Sequence, residues 1–152
     1  MSVRVRSDSE ASTEAYGESF GRRLAGGETV LLCGGLGVGK TCFARGVGRA
    51  LGVRGPVVSP SFTLAVQYEG GRLPLVHYDL YRVVDARELL EMGFLDTDDP
   101  RTVCLVEWGD RTDPPPGAIH VRIELGPDGS RQIEIRGPGS SDTAGAVSEG
   151  QG

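Results

Sequence analysis

Lysine is nearly missing from this chain. Of its 152 residues only Lys40 is one, and every other member of its 16 basic residues is an arginine. A composition that otherwise uses arginine throughout, yet keeps one ammonium, raises the question of what a guanidinium could not do at position 40. Cysteine is scarce as well. Cys33, Cys42 and Cys104 are odd in number and widely spaced, which excludes a disulfide framework and a cysteine zinc cluster. Cys33 and Cys104 lie in apolar runs and read as small buried hydrophobes. No run approaches the ~20 apolar residues of a membrane span, and the opening Met1 to Asp8 has no apolar core of the secretory kind. The expected location is therefore the cytoplasm. A surplus of positive charge is also lacking. The formal net charge of −5 argues against stand-alone binding to a nucleic-acid backbone, although service to an RNA pathway through a protein partner stays open.

The length suits one domain with a real core. Residues 1–10 read as a frayed end. Ala11 to Ala25 carry Ala15, Phe20 and Leu24 as a loose helical stripe, which Gly26-Gly27 stops. Thr29 to Cys33 is a short, almost wholly apolar run, as in a strand buried on both faces of a parallel sheet. A glycine-rich segment follows, then Thr41 to Leu51 with Phe43, Val47, Ala50 and Leu51 at helical spacing before Gly52. Thr63 to Tyr68 and Leu73 to Tyr78 form a hairpin across Glu69 to Arg72. Asp85 to Met92 predicts a short helix, with Asp85 and Glu88 in capping-box spacing. Val103 to Val106 is a second buried strand, expected beside Thr29 to Cys33. Ile119 to Leu125 and Arg131 to Ile135 alternate around Gly126 to Gly129 as a second hairpin. The composition from Gly137 onward predicts a disordered tail, 137–152, after a single domain, 1–136. The expected fold is α/β: a P-loop NTPase-like three-layer fold with a mixed, largely parallel central sheet and antiparallel hairpin additions.

Gly34-Gly35-Leu36-Gly37-Val38-Gly39-Lys40-Thr41 matches G-x-x-x-x-G-K-[ST]. The glycines let the backbone wrap a β-phosphate with its N–H groups inward, and the following helix presents its positive end to the same anion. Lys40 would reach the β/γ-oxygens, where a planar guanidinium fits poorly. The Thr41 hydroxyl would ligate Mg²⁺. An apolar run before the motif and a helical pattern after it set it apart from an idle glycine turn. The cofactors predicted are ATP and Mg²⁺.

Such a site also needs an acid at the end of a neighbouring strand. Leu75 to Asp79 and Val103 to Glu107 both end apolar segments in a carboxylate. Four apolar residues ahead of Glu107 and Trp108 after it favour a functional acid there. For Asp79 the pattern is balanced between function and a turn. His77 shares a strand side with Asp79 and reads as a hydrogen-bonded structural group. Arg82 is balanced between phosphate or partner contact and no role, and His120 reads as incidental.

Taken in order, Gly35 to Thr41, Ser59-Pro-Ser-Phe62, His77-Tyr-Asp-Leu-Tyr-Arg82, Glu88 to Gly93 and Leu105-Val-Glu-Trp108 resemble the TsaE (YjeE) family over about residues 15–125. That family comprises small P-loop ATPases of bacterial tRNA threonylcarbamoyladenosine synthesis. The resemblance implies partnership with the TsaD–TsaB heterodimer, which modifies the adenosine next to the anticodon, and ATP hydrolysis that resets this complex between turnovers. It also implies nucleotide and metal contacts by Lys40 and Thr41, with Glu107 in the metal site. Asp79 becomes a candidate catalytic residue beside Lys40, and Ser59 to Phe62, including Ser61, a switch near the γ-phosphate. Three positions depart from the family pattern: Gly35 replaces Asp, Ser61 replaces Thr, and Gly109 replaces Pro.

Three rival readings compete. A small-molecule kinase would carry an arginine-rich lid, and no dense arginine cluster precedes Glu107. A GTPase would need Asn-Lys-x-Asp, which a chain with Lys40 as its one lysine cannot contain. A nucleotide-gated binding module without significant turnover stays open as the alternative to an ATPase.

Overall fold

The computed structural model describes residues 2–35, 37–55, 57, 65–83, 85–91 and 93–137. Among these residues seven strands form one mixed sheet: β1 Ser2–Ser7, β2 Thr29–Cys33, β3 Ala65–Tyr68, β4 Leu75–Asp79, β5 Val103–Glu107, β6 Ile119–Leu125 and β7 Arg131–Arg136. Their spatial order is β1-β7-β6-β2-β5-β4-β3. The central four, β6, β2, β5 and β4, run parallel, and β3, β7 and β1 add antiparallel pairings at the two sides. Among the described residues three α-helices accompany them: α1 Glu10–Arg22, α2 Lys40–Leu51 and α3 Ala86–Glu91. Among the described residues no helix is long and apolar enough to cross a membrane.

Period-two alternation sorts the side chains of the central strands onto two covered faces. Val30 and Leu32 of β2, Leu75 of β4 and Val103 and Leu105 of β5 pack with Phe43, Val47 and Leu51 of α2. Leu31 and Cys33, Val76 and Tyr78, and Cys104 and Val106 face the other way, against Leu80, Leu89 of α3 and the partly buried Phe94 and Leu95. Burying each large apolar side chain stabilises the fold by roughly 1.5–3 kcal/mol. Cys33, Cys42 and Cys104 are all buried and unpaired by disulfides.

Helix α1 departs from the expected stripe. Its buried positions are Thr13, Gly17 and Gly21, whereas Ala15 is exposed. A Cβ at Gly17 would strike the Phe43 carbonyl of α2, and one at Gly46 the Glu14 carbonyl of α1. The two backbones meet at small residues, a packing mode that a hydrophobicity stripe does not register. Glu14 receives Arg45 and Arg49 across this seam. The helix also ends earlier than Gly26-Gly27 suggests. The Arg72 guanidinium, from the β3–β4 connection, donates to the carbonyls of Gly21, Arg22 and Leu24 at 2.9–3.3 Å, and so satisfies the acceptors a helix end leaves open.

Residues 2–10 correct the expectation of a frayed end at 1–10. Ser2–Ser7 pairs along its whole length with β7, Val3 opposite Ile135 and Val5 opposite Ile133. Both hairpins form as expected, β3 with β4 and β6 with β7, and β5 lies beside β2. At α3, Asp85 Oδ1 accepts from the Arg87 amide at 2.9 Å, the role expected of the cap. Ser59 to Phe62 and nearly all of the expected tail, 138–152, lie outside the described residues.

Candidate functional site

The glycine loop joins β2 to α2 at the C-terminal edge of the parallel strands, where open α/β sheets gather ligands. Gly37 (φ 74°) and Gly39 (φ 111°) take left-handed backbone conformations that side-chain-bearing residues rarely adopt. Gly39 caps α2, and its carbonyl accepts from the Phe43 amide at 3.0 Å. Gly37, Gly39, Lys40, Thr41, Asp79 and Glu107 line one cavity of about 300 Å³ together with Glu10, Cys42, Tyr81 and Trp108. Gly34, Gly35 and Val38 line an adjoining cavity of about 350 Å³ on the other side of Trp108. Leu36 and Ser61 lie outside the described residues. The structure thus brings Lys40, Thr41 and both carboxylates to one space.

Lys40 is 5% exposed. Its ammonium donates to the carbonyls of Gly34 at 2.7 Å and Gly35 at 2.6 Å and lies 4.2 Å from the centre of the Trp108 ring, within cation–π range. Burial lowers its pKa from the ordinary lysine value, while the charges of Glu107, Asp79 and Asp110 oppose that shift.

The acids arrive by register. Asp79 ends β4 directly opposite Glu107 at the end of β5. Alternation puts Leu75, His77 and Asp79, and likewise Val103, Leu105 and Glu107, on the face covered by α1 and α2. Asp79 is half-buried and accepts from the Tyr81 amide at 3.0 Å. Burial raises its pKa, and the Tyr81 hydrogen bond lowers it in part. Glu107 is buried, and its Oε2 meets His77 Nε2 at 2.8 Å. His77 is thus the hydrogen-bonded group that its residue type suggests, but its partner is a candidate metal ligand. Arg82 is exposed and His120 half-buried.

Several contributors escaped the sequence reading. Trp108 adopts φ 59° and meets the Tyr81 ring in a tilted contact, 5.0 Å between ring centres. The Arg111 guanidinium sits 5.4 Å and 5.6 Å from these two rings. The Gly109–Arg111 3-10 turn follows, and a Cβ at Gly109 would come within 2.6 Å of Leu31 Cβ; a bare backbone lets this turn lie against β2. Around Gly35, by contrast, a Cβ would meet nothing within 4 Å, so the position at which the family carries Asp is open. Glu10 enters the cavity lining because β1 docks and brings the start of α1 with it. The indole after Glu107 was the one available signal for this group.

A glycine loop between a buried strand and a helix, a buried lysine and strand-end acids on a largely parallel sheet define the P-loop class of α/β proteins. Comparison with known proteins narrows this further. The family model described as threonylcarbamoyl adenosine biosynthesis protein TsaE matches residues 7–133, and the chain belongs to that family. It is 35% identical over 135 residues to the tRNA threonylcarbamoyladenosine biosynthesis protein TsaE of Treponema pallidum, covering 88% of this chain and 99% of the relative. It is 39% identical over 128 residues to the TsaE protein of a Nostoc species, covering 82% and 79%. The crystal structure of YdiB from Bacillus superposes with a TM-score of 0.73 at 28% identity, over 91% of this chain and 87% of that one.

Proposed function

We propose that this chain is the Mg²⁺-dependent ATPase component of tRNA threonylcarbamoyladenosine synthesis, acting in the cytoplasm on the TsaD–TsaB pair to support its turnover. Family membership supports the process. The observation that carries the chemistry is the convergence of the one lysine, the Thr41 hydroxyl and the paired acids Asp79 and Glu107 on a single cavity. Hydroxyl and carboxylate oxygens on one cavity wall are the hard donors that suit Mg²⁺, so Thr41 and Glu107 would hold the ion. Bound there, it would neutralise charge building on the β- and γ-phosphate oxygens.

The chain's own residues then divide the work. Gly34 to Thr41 bind the phosphates through backbone amides and the positive end of α2. Lys40 exchanges the Gly34 and Gly35 carbonyls for phosphate oxygens. Asp79, whose raised pKa suits a proton acceptor, orients the attacking water. Ser61 contributes near the γ-phosphate. Residues 1–136 form the working domain, and 137–152 are dispensable to it.

Calorimetry with ATP, with and without Mg²⁺, and phosphate release with and without TsaD–TsaB test the reading. Magnesium-dependent ATP binding and release that rises with the partner pair are expected. Turnover equal with and without partners would remove the assignment to the TsaD–TsaB cycle. Absence of ATP binding would remove the nucleotide site altogether.

A further inference from the structure

The glycine loop is held from outside by an arginine that the motif does not contain. Arg131 opens β7 immediately after the β6–β7 turn. Its Nε donates to the Val38 carbonyl at 3.0 Å, one terminal nitrogen to the Gly37 carbonyl at 3.2 Å, and the other to the Gly129 carbonyl at 2.9 Å. We propose that Arg131 is a positioning residue for anion binding: by pinning two successive loop carbonyls, it aims the Val38 and Gly39 amides into the phosphate cradle. The proposal rests on the reading of this loop as a nucleotide site.

A trans peptide unit is planar, and its C=O and N–H point in opposite directions. Fixing the Gly37 carbonyl toward β7 turns the Val38 N–H away from β7. Fixing the Val38 carbonyl does the same for the Gly39 N–H. Gly37 and Gly39 line the 300 Å³ cavity, and Arg131, bonded to the loop carbonyls, stands outside that lining. Successive N–H groups turned to one side form the anion-binding nest.

Glycine makes such a nest possible and also makes it expensive to order, because a glycine loop has more conformations to lose than any other. An external clamp offsets that loss before the ligand arrives. The clamp must span two neighbouring carbonyls and keep a third contact at its own base. A planar fork with five donors can do so, whereas a lysine ammonium presents its donors from one point.

The base of the clamp is itself rigid. Arg131 pairs with Leu125 on one side and Ser7 on the other. Within the turn the Gly126 amide bonds the Ser130 carbonyl at 2.7 Å, Asp128 accepts from the Ser130 hydroxyl and amide, and Arg6 of β1 pairs with Asp128 at 2.9 Å. The hairpin and the N-terminal strand together hold the guanidinium in place.

The test uses the full ¹⁵N-labelled chain with Arg131→Met and Arg131→Lys, comparing amide spectra, ADP affinity by calorimetry and melting temperature. In the native protein ADP·Mg²⁺ should move the Val38 and Gly39 amide resonances strongly. In Arg131→Met those movements should shrink, and ADP affinity should fall about tenfold, with Arg131→Lys falling about threefold. A lower melting temperature with native ADP affinity and native amide movements would overturn the proposal, since the arginine would then only staple the hairpin. Should the methionine variant fail to fold, the lysine variant decides by the same comparison. If the native chain binds no ADP, the nucleotide reading fails by itself. Spectra without nucleotide then still decide: the Val38 and Gly39 resonances must move in the variants, and unchanged resonances overturn the clamp.

Discussion

The imidazole of His77 and the carboxylate of Glu107 form a buried 2.8 Å hydrogen bond between neighbouring parallel strands, with His77 fully buried and Glu107 3% exposed. Nδ1 of the same ring has no hydrogen-bond partner among the described residues. With Nε2 donating to the carboxylate, Nδ1 is left as an unpartnered acceptor among the described residues. The bond fixes the rotation of a carboxylate that lines the lysine-bearing cavity, much as outer partners orient ligands in metal sites.

Glu107→Ala should therefore weaken ATP binding in magnesium and leave the weaker, metal-free binding nearly unchanged. His77→Leu removes the donor and should cut magnesium-dependent affinity by about tenfold. His77→Gln can place an amide nitrogen near the Nε2 position and should recover most of it, whereas His77→Asn, whose shorter amide stops near Nδ1, should not. Magnesium titrations of nucleotide binding check all four. Equal affinity in the Gln and Asn variants would reduce His77 to a packing role.

Asp79 should separate from Glu107 in kinetics and in stability. Asp79→Asn should keep ATP affinity and lose mainly partner-stimulated turnover, the pattern of a group acting in the transition state. Burial raises its folded pKa above the unfolded value. Its stability contribution is then fully present only below the ordinary aspartate pKa and is lost as pH rises through the raised one. The asparagine variant should melt higher than the native protein at neutral pH, and that advantage should vanish at pH values below about 4. Thermal melts across pH 3–8 beside phosphate-release rates test both halves. A variant that melts lower at neutral pH would contradict the burial argument.

Lys40→Met should abolish ATP binding without weakening the nucleotide-free fold. The buried ammonium has a lowered pKa, so its charged form is disfavoured in the folded chain. Its cost to stability is full below the folded pKa and shrinks as pH rises toward the ordinary lysine value of about 10.4. The methionine variant should melt as high as the native protein or higher near pH 7, with the gap closing as the solution becomes basic. Calorimetry and melting curves decide. Retained ATP affinity in the folded variant would refute the role given to the one lysine.

The two ends of the chain should behave oppositely on truncation. Residues 2–7 form a strand that pairs with β7, and Ser7 shares a 2.6 Å hydroxyl contact with Thr13 beneath the glycine loop. Removing them exposes Ile133 and Ile135 and should lower the melting temperature by several degrees, as expected for a loss of a few kcal/mol. Ending the chain after Arg136 should leave melting temperature and ATP affinity unchanged. A native melting temperature without β1, or a lower one without the tail, would refute the respective half.

The glycine loop, the two buried strands and the strand-end acids were legible because each is written in consecutive residues. Lys40 and Thr41 follow a loop pattern, and Val103 to Glu107 is an uninterrupted apolar run into a carboxylate. The nearness of Asp79 to Glu107 followed only from register, since which residues of two parallel strands stand opposite is decided by packing on both faces. β1 was not legible. Val3 and Val5 alternate with arginines over too few residues to mark a strand, and their partners lie at the other end of the domain. The face of α1 was hidden for a different reason: Gly17 and Gly21 are buried because they lack side chains, so hydropathy points elsewhere. Local sequence thus determined the chemistry available to this protein, namely one ammonium in a glycine loop and two acids at strand ends. Tertiary structure decided which carboxylate His77 supports and which arginine holds the loop. Those partners are far apart in the chain, and only the closed sheet brings their donors and acceptors within bonding distance.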